Sequence, residues 1–192
     1  MEIELWKIGN SPPAPKFNIA SKPNDWSKAV RTQAAATAEG KVTPHKQLQY
    51  DFWKAFKEFL ERQSSLRTHK PAFQHWLNLS IGRASFHLSA ITSAWNTVTN
   101  SYGPPELRVE MIMGPPNAKE HFVQLEAQKA AIQDKCDLPI VWHNPDASKS
   151  CKLYVRRDGD FADRTKWPEL FAWLHTYLER FRDIFAPIIK EL

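Results

Sequence analysis

From residue 44 onward the chain switches between two hydrophobic periods. Leu48, Phe52, Phe56, Phe59 and Leu60 recur at helical spacing, and Lys54, Lys57, Glu58 and Glu61 fill much of the opposite face. Thr43-Pro44 supplies a cap and a first-position proline, so the spacing predicts a helix from there to about Gln63-Ser64-Ser65. A period of two follows. Trp76, Asn78 and Ser80 alternate with Leu77, Leu79 and Ile81, ending at Gly82. Phe86, Leu88 and Ala90 share one parity of a second extended run, Ser85 to Thr99. Leu107, Val109, Met111 and Met113 alternate with Arg108, Glu110 and Ile112 in a third. Asn100-Ser101-Tyr102-Gly103-Pro104-Pro105 between them reads as a turn cluster, and the three runs as an antiparallel hairpin or meander.

Helical spacing returns after Gly114-Pro115-Pro116. Asn117 with Glu120 resembles a capping box, and Phe122, Leu125 and Ile132 mark a helix to about Cys136. Pro139–Trp142 and Cys151–Arg157 are two further strands. Asp163 to Glu169 is most simply the approach to the last helix, which starts near Trp167-Pro168. Its apolar stripe is Leu170, Trp173, Leu174, Tyr177, Phe181 and Ile184, and Pro187 is expected to end or kink it. The predicted order is α-β-β-β-α-β-β-α: an α+β fold with a mostly antiparallel sheet of about five strands and three main helices. Residues 1–43 differ. A short strand at Glu2–Ile8 precedes a proline cluster, an extended Phe17–Trp26 and an alanine-rich stretch to Gly40, so this part reads as an extended arm with a boundary near Thr43.

Composition adds two constraints. The net charge of +5 fits an acidic partner, so the placement of charge becomes the question. The two cysteines, Cys136 and Cys151, form no close pair, and neither a secretory leader nor a membrane-length apolar run is recognisable. These features imply a reducing, cytoplasmic setting with free thiols and no membrane.

Candidate chemistry is sparse. Asp25 with Glu39-Gly40-Lys41 matches by letter the Asp…Glu-x-Lys set by which some nucleases hold Mg²⁺, but it falls in an alanine-rich linker rather than on an apolar strand. Cys136, His143 and Cys151, or His69 and His75, fit no close-paired zinc spacing. No nucleophile elbow or phosphate loop occurs, so no catalytic residue, metal or cofactor is expected. The informative feature is electrostatic: residues 63–105 hold no Asp or Glu, but contain Arg67, Lys70 and Arg83 with His69, His75 and His87, interleaved with Trp76 and Trp95. Cations beside aromatics grip a phosphate backbone and stack bases. Arg156 and Arg157 would join this surface if their strand lies near. The competing reading makes Trp76 and Trp95 core residues and the cations merely solvated.

Several segments together carry a family resemblance: QLQYDFWKAFKEFLERQ, KPAFQHWLNLSIGRASFHLSA, VQLEAQKAAIQ and WPELFAWLHTYLERFRDIFAP. From about Pro44 to the C-terminus the chain resembles the prokaryotic domain of unknown function 4268. TSAWNTVTNSYGPP departs from the pattern, since a more compact turn is expected in relatives. The resemblance implies a C-terminal domain that follows a restriction-endonuclease-like nuclease half in longer members, of which EIELWKIGNSPPAPKFNIASKPNDW resembles the junction. It implies a DNA-linked role, in restriction or defence, with any nuclease activity residing in the other half. The expected partners are therefore DNA or RNA, with a nuclease-like domain or a second copy of the chain as the alternative.

Overall fold

In the computed structural model, Glu2–Trp6, Ala14–Asn18 and residues 42–192 are described. The chain divides into two compact units, Met1–Val42 and Thr43–Leu192. In the first, β1 (Glu2–Trp6) pairs antiparallel with β2 (Ala14–Asn18), with Ile3 opposite Phe17 and Leu5 opposite Pro15. Asp25, Glu39 and Lys41 lie outside the described residues.

The second unit is an α+β fold. Helix α1 (Pro44–Gln63) is capped by Thr43, whose hydroxyl accepts from Lys46 N at 3.3 Å. Strands β3 (Trp76–Ser80), β4 (Phe86–Asn96) and β5 (Ser101–Met113) follow. Then come α2 (Ala118–Glu126), α3 (Lys129–Gln133), β6 (Val141–His143) and β7 (Cys151–Asp158). A 3-10 turn at Arg164–Lys166 leads into α4 (Trp167–Glu191). The five strands form one antiparallel sheet in the order β3-β4-β5-β7-β6, so β5 lies at its centre.

The pleat sorts side chains by parity. Leu77, Leu79, Leu88, Ala90, Leu107, Val109, Met111, Met113, Leu153 and Val155 face one way and share a single apolar cluster with residues of all four helices. Phe52, Trp53, Phe56 and Leu60 of α1 are fully buried in it. Phe52 meets Trp53, Phe161, Trp167 and Phe171 edge-on or nearly so, which locks α1 to the start of α4. The helices thus occupy one side of the sheet. Ile91 and Tyr154, of opposite parity, are also buried but lie outside that cluster.

Four local expectations change. The Tyr102–Pro105 segment is strand rather than turn, because β5 begins at Ser101 and the reversal occurs at 97–100. A register shift between Ser93 and Trp95 lets pairing resume as Trp95 with Tyr102 and Asn96 with Ser101, around prolines that cannot donate. The expected helix to Cys136 is two pieces, α2 and α3. Gln128 N donates to Leu125 O at 2.9 Å, so the chain tightens at the junction, and no glycine or proline there marks the break. Asn117 occupies the N-cap position without a side-chain bond; its φ of −101° and ψ of 22° are not the extended backbone that aims a cap inward. Pro187 does not end α4, which runs on to Glu191. The Arg83 guanidinium donates to Ile189 O, and Ile189 is fully buried, so tertiary contacts hold the last turn.

Two substitutions test this packing by urea denaturation. Phe52→Ala should cost about 3–5 kcal/mol, since it empties the aromatic contact between α1 and α4. A Cβ on Gly159 would sit 2.4 Å from Leu107 Cδ1 and 3.0 Å from Leu170 Cδ2. Gly159→Ala should therefore destabilise by about 1–3 kcal/mol. An unchanged midpoint for either variant would contradict the packing.

Candidate nucleic-acid interface

The helix-free face of the sheet is built from the second parity. Neighbouring residues across the strands form rows: Trp76, Ile91, Arg108 and Arg156; then Asn78, Ser89, Glu110, Tyr154 and Val141; then Ser80, His87, Ile112, Lys152 and His143. Glu106 and Asp158 are paired opposite each other on β5 and β7.

Charge on the central strand is held tightly. Glu106, Arg108 and Glu110 recur every second residue along β5 and are 0%, 8% and 3% exposed, so each must be paired to be tolerated. Arg108 Nε donates to Glu110 Oε1 at 2.7 Å, while its NH1 donates to Glu106. Arg156 Nε reaches the other Glu106 oxygen at 2.6 Å, and its NH2 donates to Asp158. Lys152 Nζ lies 3.1 Å from Glu110 Oε1. Thr97 donates to Glu106 through both its backbone N and its hydroxyl, at 3.0 and 3.1 Å. Burial alone pushes the Glu106 carboxyl up, but Thr97 N, Arg108 and Arg156 together hold it below its ordinary value. Burial likewise opposes the charge of Arg108, yet Glu110 and Glu106 raise its pKa further. Three cations and three carboxylates leave this network formally neutral.

Histidines surround it. Burial lowers the pKa of His75, His87 and His143; Arg108, His69 and Lys152 respectively add to the effect, and Glu110 opposes it at all three. Thr68 bridges Leu79 antiparallel, and His69 N donates to Asn78 O at 2.9 Å, so the segment before β3 extends the sheet edge. Alternation then places Arg67 and His69 on the parity of the helix-free face.

The structure separates the sequence-predicted residues. Arg67 and Lys70 are exposed beside the β3 edge. Trp76 is half-buried, its ring edge-on to His75 at 4.6 Å. Trp95 is exposed at the end of the β4–β5 hairpin, so neither tryptophan belongs to the apolar cluster. Arg83 instead binds the end of α4 and lies over the Phe86 ring at 5.5 Å. Arg156 is enclosed in the ionic network, and Arg157 pairs with Glu169 at 2.6 Å, with the parity of the core face. Sequence reasoning missed Tyr102, Glu106, Lys152 and Tyr154. For Glu106 the signal existed, since it shares the parity of Arg108 and Glu110. Cys136 and Cys151 are buried with thiols pushed up by burial, and among the described residues no His, Cys, Asp and Glu cluster could hold a metal. No described helix is long and apolar enough to cross a membrane.

Fold and face together define a two-layer α+β domain: helices on one side of an antiparallel sheet, a neutral ionic network on the other, and at the rim exposed cations with no ion-pair partner among the described residues. The chain belongs to the family described as Domain of unknown function (DUF4268), which matches residues 48–189. No curated protein and no solved structure matches it.

Removing Arg108 would leave buried Glu106 with Arg156 and Thr97 and buried Glu110 with Lys152 alone, so Arg108→Ala should destabilise by up to about 3–5 kcal/mol, the cost of breaking a buried pair. The same change in a Glu106→Gln/Glu110→Gln background should cost clearly less; equal costs in a double-mutant cycle would refute the coupling. The pH dependence has a definite sign. With His75, His87 and His143 depressed in the folded state, the unfolded chain binds more protons below about pH 6.5. Stability should thus fall as pH drops through that range. It should fall again below about pH 4.5, as Glu106 loses the advantage of its lowered folded pKa. Thermal melts from pH 8 to 4 check both steps, and a flat profile would exclude them.

Proposed function

We propose that this domain is a non-catalytic, nucleic-acid-binding accessory module of a nuclease-linked prokaryotic protein, acting in the cytoplasm. The observation that carries the reading is the placement of the acid-free stretch 63–105. It folds into the β3 edge, β4 and the rising half of the hairpin, a continuous side of the sheet. There Arg67 and Lys70 are exposed and have no carboxylate within ion-pair distance among the described residues. The central cations are already neutralised, so a polyanion gains little from them. It gains from the rim, where each phosphate contact releases condensed counterions. Half-buried Trp76 and exposed Trp95 lie along the same side. The family resemblance supports the link to a nuclease partner, and the two free thiols suit a reducing compartment.

Fluorescence anisotropy with labelled DNA at several salt concentrations, with Mg²⁺ present, is the test. Binding should weaken steeply with salt and leave the probe uncut. Arg67→Glu/Lys70→Glu should lower affinity about tenfold or more and reduce the salt slope by about one per cation removed. Arg83→Ala should lower the melting temperature but leave affinity intact, because that guanidinium serves α4. No binding at low salt would overturn the reading in favour of a protein partner.

A further inference from the structure

We propose that the tip of the β4–β5 hairpin is a base-stacking site for single-stranded nucleic acid. The inference rests on the reading of the domain as a nucleic-acid binder and adds the strand state and the side chains that recognise it. Beyond the register shift, Trp95 and Tyr102 stand opposite each other. Their rings meet edge to face, with centroids 5.2 Å apart and planes at 89°. Trp95 is 39% exposed, Val98 70% and Tyr102 81%. Such exposure of two aromatics and a valine at one hairpin end contributes little to the fold. In an edge-to-face pair one ring turns its rim to the other's face, so ring faces remain open to a further flat partner.

The platform beneath is rigid. Asn96 Nδ2 donates to Pro104 O at 3.0 Å, and its Oδ1 accepts from Val98 N and Thr99 N at 3.0 and 3.2 Å. The Glu106 carboxylate holds Thr97, and Ser93 Oγ accepts from Trp95 N at 3.1 Å. Fixing the turn before binding removes ordering cost from the complex. The electrostatics are permissive too. Residues 94–105 contain no carboxylate, and Glu106 and Asp158, which bond Thr97 and Asn96 beneath, are paired with Arg108 and Arg156. Thr97, Thr99, Asn100 and Ser101 add neutral hydrogen-bonding groups around the rings.

Strand state follows from geometry. In a duplex each base face is covered by its neighbours, so an exposed ring finds no partner without unstacking. In a single strand the faces are available, and stacking on an aromatic is tolerant of sequence. The tip would anchor bases while Arg67 and Lys70 at the β3 edge meet the backbone.

The experiment titrates the full chain with fluorescein-labelled oligo(dT) and with a labelled duplex of the same length at low salt. The single strand should bind more tightly than the duplex. Trp95→Ala should weaken oligo(dT) binding about 5- to 150-fold, the range base–aromatic stacking supplies. Trp95→Phe should recover most of the loss, and the salt slope should not change, because no phosphate contact is removed. Tyr102→Ala, at a site too exposed to affect folding, should act in the same direction. If the wild-type chain binds but Trp95→Ala and Tyr102→Ala leave oligo(dT) affinity unchanged, the tip is not the stacking site, although the domain still binds nucleic acid. Equal losses on duplex and single strand would overturn the strand preference. If the wild-type chain binds neither probe, the nucleic-acid reading itself fails.

Discussion

The central strand β5 must satisfy opposite demands on its two sides, and the domain is organised around that constraint. One parity presents Leu107, Val109, Met111 and Met113 to the helices; the other presents Glu106, Arg108 and Glu110, nearly as inaccessible to water. Apolar side chains need only volume and complementary packing. Buried charges need partners at fixed distances, because each unpaired ion costs several kcal/mol, of the order of a domain's whole net stability. Arg108 meets the demand by bridging both glutamates along its own strand, and Arg156 and Lys152 meet it from β7. A shift of β7 by one residue would bring Leu153 and Val155 to the polar face and carry the cations into the core. The ionic network and the apolar layer therefore specify the same register.

The remaining elements close around this sheet. The aromatic side of α1 and the apolar stripe of α4 cover the core parity, meeting at Phe52, Trp167 and Phe171. Arg83, in the loop between β3 and β4, donates to the last turn of α4. That contact ties the far end of the C-terminal helix to an early hairpin and explains how α4 continues past Pro187. The same arginine is a cation of the acid-free stretch, so this stretch serves two purposes. Arg83 stabilises the fold, while Arg67 and Lys70 stay at the rim.

This division supports the proposed function. A face whose cations were all free would repel itself and destabilise the sheet. Here the inner cations are neutralised by neighbours, and Arg67 and Lys70 stand exposed at an edge. Affinity can then come from the rim and the hairpin tip without disturbing the interior. The tip itself is an internally hydrogen-bonded turn.

Much of the architecture was legible in the sequence because periodicity is a local property. The 3.6-residue spacing after Thr43-Pro44 and after Trp167-Pro168, and the strict alternation in β3 and β5, identified the elements and their core faces. Local signals failed where the outcome depended on distant partners. Pairing with β4 turned Tyr102–Pro105 into strand, the Arg83 contact and burial of Ile189 carried α4 through a proline, and no residue at Ala127-Gln128 announced the break between α2 and α3. The candidate surface divided in the same way. Sequence alone showed that residues 63–105 lack acids and carry cations and tryptophans. Only the tertiary structure decided which cations were spent, because ion pairing depends on strands brought together across the sheet. Arg156 belongs to Glu106, fifty residues away, and no local pattern encodes a partner at that separation.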